Sequence, residues 1–412
     1  MKIQGTSLGL ALCVALSCVV PTLSQTSDIT GAATPATVAF VYVQTAKGIN
    51  LYNATAAGKL TLVKGSPFQP SGPGQTMIGS NGKFLVTLGA NDLHAYPVAA
   101  NGTIGKQVSQ TDARNYGGAE CTGGVVSPIS GEMSPTGKAI YVFPGPDLAS
   151  GCNYYYLQTY STSKTGEFVF IGDTEVDPDT PEYVYSSLPF MIGNGKFGYG
   201  FDFSELDCWP DAGVGLEDIY VPSKQGALEF KGSNLSIKIT SPPPDESYWS
   251  IGSLNLASDS ADHLAIELHS YSGYCDDGGG TLAYGPIQLA SFTADSHGNL
   301  NTSNTYLEMP VLSGYAGVMT ISPSSKILAV AIGSGIQFFH FNGAAPITKF
   351  TGIVGTSGSI TAMQWDHSNH LYAINGASGN VHVYTVTTTS VVEAPGSPYA
   401  ANSSGGLVVV SK

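Results

Sequence analysis

The chain has 412 residues, with 16 Lys and Arg against 30 Asp and Glu, for a formal net charge of -14. Arg114 is its single arginine. Phosphate-backbone binding needs clustered cations, so this balance excludes a nucleic-acid partner and disfavours an anionic membrane surface. Glycine at 51 and proline at 24 residues would repeatedly interrupt long helices.

The first element is a leader. Lys2 is the only charge before Asp28, and Leu8 to Val20 (LGLALCVALSCVV) is apolar, followed by Pro21 and polar residues. A run of about thirteen residues is too short to span a bilayer and fits a signal peptide covering residues 1–24, with cleavage as late as about residue 33. Later apolar runs are all interrupted, which predicts no integral membrane segment after its removal. The expected location is secreted or extracytoplasmic.

From residue 37 onward the chain repeats itself. A short apolar run, usually preceded by a polar turn, begins at Phe40 (FVYV), Phe84 (FLVT), Ala139 (AIYV), Lys196 (KFGY), Leu264 (LAIE), Ile327 (ILAV) and Leu371 (LYAI). Further strands follow in each copy: Ile49 to Asn53 and Leu60 to Val63 after the first, Val381 to Val386 and Val391 to Glu393 after the last. Both sets end in a GSP-aromatic tail, Gly65 to Phe68 and Gly396 to Tyr399. Runs such as Gly317 to Ile321 and Ser359 to Gln364 supply a strand ahead of the repeated one. Period-2 alternation between Gly, Asn and Pro turns reads as antiparallel strands.

Seven four-stranded units predict a single all-β domain over residues 37–412, a seven-bladed β-propeller, since a closed ring lets every small sheet bury both faces. The first copy lacks a strand before Val38, while Leu407 to Val410 (LVVV) is unassigned at the end. The two gaps cancel if residues 407–410 form the innermost strand of the first blade, beside residues 39–43.

The turn-and-strand sets (SPTGK then AIYV), the GSPF and GSPY tails and the INLYN and VHVYTV strands resemble the seven-bladed lactonase family, which includes propeller-type 6-phosphogluconolactonase and carboxymuconate cyclase-like proteins. The resemblance implies a ligand site at the central channel built from His, Arg and Glu side chains, and hydrolysis of a small lactone or related ring chemistry. These repeats encode packing and turns, so they speak to fold before chemistry.

The longer blades three to five place extra sequence between their second and third strands, at Phe143 to Cys152, Asp202 to Glu217 and His269 to Leu282. With the connection into blade three, they put Cys121, Cys152, Cys208 and Cys275 on one face. In an exported chain these predict disulfides. Cys121–Cys152 with Cys208–Cys275 is the expected pairing, and a Cys152–Cys208 link stays open.

On that face His269 is the candidate general base, Arg114 the candidate anion clamp, and Glu120 and Asp202 the candidate acid, base or orienting carboxylates. A phosphorylated lactone is disfavoured because no cationic cluster could receive it. Trp249 and Tyr315, where chain descends toward the channel, are candidate ligand contacts. No cofactor or metal is expected, and the chain is expected to be a monomer. Whether it is an enzyme stays open: the alternative is a non-catalytic propeller binding a glycan or a protein.

Overall fold

The computed structural model describes residues 35–68, 75–114, 127–144, 155–176, 188–200, 218–232, 237–239, 248–250, 255–272, 283–355 and 358–412. All described strands lie in the compact unit Ala36–Lys412. They form seven sheets in chain order, the blades of a propeller, antiparallel throughout except for one outer strand of blade five.

The second strand of each blade explains the architecture. Phe84–Leu88, Ile327–Ile332 and His370–Asn375 are buried at every position. Neighbours along such a strand point to opposite faces, so both faces are covered. In Ile327–Ile332, Leu328 and Val330 pack toward blade five, while Ile327, Ala329 and Ala331 pack toward blade seven. The buried apolar residues accordingly fall into seven clusters, one at each seam between adjacent blades. Burying a Val, Leu or Ile side chain contributes about 1.5–3 kcal/mol.

Ring closure occurs as the sequence predicts. Ser403–Ser411 pairs antiparallel with Thr37–Thr45, matching Phe40 to Val410, Val41 to Val409, Tyr42 to Val408 and Val43 to Leu407. The first blade is therefore built from both ends of the propeller unit. Its neighbour across the closing seam is blade seven, through Val41, Val43, Tyr372 and Val383.

The turn between the third and fourth strands also locks the seams. In six blades it carries a glycine with positive φ: Gly58, Gly102, Gly166, Gly226, Gly298 and Gly343. Each lies against the start of the preceding blade's second strand, at His370, Phe40, Phe84, Ala139, Phe197 and His263 respectively. A Cβ on Gly102 would sit 2.5 Å from the Phe40 ring, and one on Gly166 2.5 Å from Phe84. Tyrosines of the second strands add hydrogen bonds to these turns: the Tyr42 hydroxyl donates to Gly102 O at 2.7 Å and that of Tyr199 to Gly298 O at 2.8 Å.

Blade five departs from the simple unit. Its inner strand comes in two pieces, Tyr248–Ser250 and Leu256–Ser258, both paired with His263–Ser272. A further strand, Ile237–Ile239, runs parallel along the outer edge beside Leu300–Thr302. His269 consequently lies within a strand, not at the head of an insertion as its sequence suggests.

The disulfide expectation is corrected. No disulfide is present among the described residues, and Cys121, Cys152, Cys208 and Cys275 all fall outside them. The described ring is held by strand pairing and seam packing.

Gly82, in the turn between the first and second strands of blade two, and Gly102 separate the two costs of a side chain at a glycine of positive φ. Both have positive φ (80° and 84°), but a Cβ on Gly82 would meet nothing within 4 Å. Gly82→Ala should cost about 1–2 kcal/mol and Gly102→Ala about 2–4 kcal/mol, measured by denaturant unfolding.

Candidate functional site

The seam between blades five and six holds a concentrated polar constellation, at the entrance to the inner strand of blade six. Along His263–Ser272, Leu264, Ile266 and Leu268 pack toward blade four and Ala265 toward blade six. Two-residue periodicity turns Glu267 and His269 to the blade-six side as well. Glu267 is fully buried and His269 is 7% exposed. His269 Nε2 lies 2.9 Å from Glu267 Oε1.

Glu267 is surrounded by donors. Asn255 Nδ2 donates to Oε2 at 3.0 Å, and the Ala316 backbone N–H donates to Oε1 at 3.4 Å. Asn255 Nδ2 also donates to Ala316 O, joining the two blades at the entrance to blade six's inner strand. An ionised carboxylate only accepts, so the imidazole proton belongs on Nε2. Nδ1 then carries the lone pair, and it has no hydrogen-bond partner among the described residues. A fixed tautomer with an available nitrogen is the arrangement of a general base oriented by a carboxylate.

Of the residues selected from sequence, the structure brings two together. The Tyr315 ring lies 5.4 Å from the His269 ring, centroid to centroid, and Tyr315 is 65% exposed. Trp249 sits in the strand beside them, its backbone paired with Ser270 while Ser250 pairs with His269. Arg114 lies elsewhere, just beyond the outer strand of blade two, Ser109–Asp112. Its guanidinium is paired with Asp112 and its carbonyl accepts from Gln158 Nε2 at 3.2 Å. Glu120 and Asp202 lie outside the described residues.

Glu267 is the residue that sequence reasoning passed over. Inside LAIEL it reads as one polar residue of a strand. The signal available was its i, i+2 spacing to His269, which places two side chains on one strand face. Gln44, near the end of blade one's second strand, clarifies what the fold itself requires there. Its amide ties the next blade in the same way, accepting from Met77 N at 3.0 Å and donating to Gln75 O. A neutral amide suffices for that tie, so a carboxylate at 267 adds a charge directed at His269.

Of the four other histidine–carboxylate pairs among the described residues, His94–Asp92, His263–Asp259, His370–Asp366 and His382–Glu393, two are built into turns. In the turn into blade seven's second strand, Asp366 Oδ1 accepts from the backbone of Ser368 and His370, while Oδ2 meets His370 Nδ1 and the Tyr372 hydroxyl, both at 2.8 Å. Asp259 and His263 repeat the turn in blade five. Burial opposes the Asp366 charge, but the His370 and Tyr372 hydrogen bonds outweigh it and hold its carboxyl below the usual value of 3.8.

Among the described residues no group of three or more His, Cys, Asp and Glu could hold a metal ion, and no helix is long and apolar enough to cross a membrane.

Comparison with known proteins places the fold. No family model matches the sequence, and no curated protein matches it. Among solved structures it is similar to a candidate 6-phosphogluconolactonase from Bacteroides uniformis, with TM-score 0.53 and 13% identity over 91% of this chain and 100% of that one. A protein of unknown function from Desulfotomaculum acetoxidans matches with TM-score 0.54 and 13% identity over 90% and 99% of the two chains. A candidate 6-phosphogluconolactonase from Bacteroides fragilis matches with TM-score 0.50 and 12% identity over 92% and 100%. The chain is a seven-bladed β-propeller whose fold resembles the 6-phosphogluconolactonase type.

Asp366 yields a pH-dependent prediction. Its depressed folded-state pKa means that its contribution to stability is full above 3.8 and is lost as pH falls through the folded value. Asp366→Asn should destabilise the protein by about 1–3 kcal/mol at pH 7, and the gap from wild type should close in acid below that range, as followed by thermal melts across pH.

Proposed function

We propose that this chain is a lactonase-like hydrolase of a small, non-phosphorylated lactone, with His269 as general base and Glu267 as its positioning partner. The observation that carries this reading is the buried Glu267–His269 hydrogen bond, which fixes the imidazole with Nδ1 available beside exposed Tyr315. The names of the structurally similar Bacteroides proteins favour lactone chemistry at the level of fold. The leader-like run Leu8 to Val20 supports an extracytoplasmic setting.

In this mechanism a water hydrogen-bonded to Nδ1 attacks the lactone carbonyl, and His269 takes its proton. Glu267 stabilises the imidazolium that forms, without itself taking the proton. Collapse of the tetrahedral intermediate breaks the ring carbon–oxygen bond, and the imidazolium returns the proton to the departing alkoxide. The product is the open hydroxy acid. Arg114, held by Asp112 on blade two, is outside this reading, and the substrate is one that needs no cationic clamp.

A panel of sugar and aromatic-acid lactones tests the proposal. Against a turned-over lactone, His269→Ala should lower kcat by about 10²- to 10⁴-fold. Glu267→Gln should lower kcat and change its pH profile while leaving KM and the melting temperature near wild type, since Gln44 makes the equivalent tie in blade one. Turnover unchanged in His269→Ala overturns the assignment.

The exposure of Tyr315 (65%) and of Leu307 (91%) on the same connection favours a second reading, a non-catalytic propeller that binds a glycan or a protein. Absence of lactone turnover, together with glycan-array binding that Tyr315→Ala abolishes, would select it.

A further inference from the structure

The seven innermost strands line the propeller axis, and their sequences are nearly free of charge. Ser403–Ser411, Thr76–Ser80, Pro128–Met133, Phe190–Met191, the pair Tyr248–Ser250 and Leu256–Ser258, Ala316–Ile321 and Ile360–Trp365 contain one Asp, Glu, Lys or Arg among them, Glu132. Its side chain is reached by solvent yet closely surrounded by protein and, among the described residues, has no hydrogen-bond or ion-pair partner. Most carboxylates placed deep in a fold are paired, because an isolated charge there is costly.

Among the described residues, the elements packed against the Glu132 strand supply no countercharge. Thr76–Ser80, Phe84–Leu88 and Ile140–Pro144 pack against its strand. Gly131, one residue before it, lies against Ile78 and Leu88. The one ionisable group on those elements is Tyr141, the register partner of Glu132. The Tyr141 hydroxyl donates to Gly226 O at 3.3 Å, and burial together with the Glu132 charge pushes its pKa up to about 12, so it stays neutral. On the other side, the inner strand of blade four presents Phe190 and Met191. Burial pushes the Glu132 carboxyl up to about 7.

We propose that the central tunnel is a binding site for a small organic cation with an apolar body, an alkylammonium in chemical class, anchored by the Glu132 carboxylate. The polarity follows from the wall: one unpaired acid, no base on any inner strand, and half-buried aliphatic side chains such as Ile78, Val318, Val409 and Val410 around the ring. An ammonium replaces the missing countercharge, while its hydrocarbon part covers apolar wall. The excess of 30 acidic over 16 basic residues draws cations toward the protein. A single carboxylate cannot supply the six to eight oxygens that calcium takes. This site lies on blade three and is independent of the histidine on blade five.

Sign and pH follow together. Glu132 is charged above about 7 and neutral below, so the cation binds better as pH rises through that value.

The test is calorimetric titration of n-hexylammonium into the mature protein at pH 8.5 and pH 5.5, with n-hexanol as the uncharged control. Binding of hexylammonium at pH 8.5, at least tenfold weaker at pH 5.5 and lost in Glu132→Gln, is expected. Hexylammonium binding that survives Glu132→Gln, that matches hexanol, or that ignores pH overturns the proposal, as does no binding at all. Glu132→Gln removes a charge without removing volume and should be at least as stable as wild type above pH 7, which a melting curve verifies. His269→Ala should leave hexylammonium binding unchanged, so this site and the lactonase reading fail separately.

Discussion

The structure depends on the seam at which the turn of one blade presses on the first residues of the second strand of the blade before it. Six of these turns place a glycine with positive φ against His370, Phe40, Phe84, Ala139, Phe197 or His263. The contact is directional, since each blade offers a turn backward and a strand start forward, so the pattern has no natural end until it meets itself. It does so where Gly58 of blade one reaches His370 and Val383 of blade seven. A second strand buried on both faces imposes the same condition, because either face left uncovered would expose a row of Val, Ile and Leu. Pairing of Ser403–Ser411 with Thr37–Thr45 ties that closure through the backbone.

This constraint also explains how much of the fold was legible in the sequence. FVYV, FLVT, AIYV and ILAV are conspicuous because seam burial demands apolar residues at consecutive positions, and the last three are reached through polar turns that must bend sharply. The closing strand was legible from arithmetic: LVVV at one end matches a blade lacking a strand at the other. What escaped the sequence is the part of blade five that does not serve the seam rule. Tyr248–Ser250 and Ile237–Ile239 are three-residue strands, too short for a period-2 pattern to emerge, and Ile237–Ile239 adds in parallel, a pairing that no hairpin signal announces.

The candidate site was half legible for a related reason. His269 and Tyr315 were found because histidine and aromatic residues near strand ends are conspicuous by type. Their meeting across a seam is a tertiary fact: His269 belongs to blade five, and Tyr315 precedes the inner strand of blade six. Arg114 attracted attention as the single arginine, yet rarity says nothing of position, and the structure gives it to Asp112. Glu267 and Glu132 were hidden for the opposite cause. Each is one acid among 30 in an acidic chain, and neither becomes unusual until the strand's neighbours are known.

Three kinds of buried or enclosed acid then separate by geometry. Asp259 and Asp366 direct one oxygen to backbone N–H groups of their own turn and the other to a histidine four residues on. Their charge is spent on local structure. Glu267 instead faces a histidine two residues along a strand and receives its other donors from Asn255 and the next blade, which leaves the far side of that imidazole available. Glu132 receives no donor from the described residues. Moving from turn to seam to axis, the protein supplies progressively less of what a carboxylate needs, and the remainder has to come from a reacting histidine in one case and from solvent or a ligand in the other. That gradient, and not the number of acids, distinguishes the groups available for chemistry from those committed to the fold.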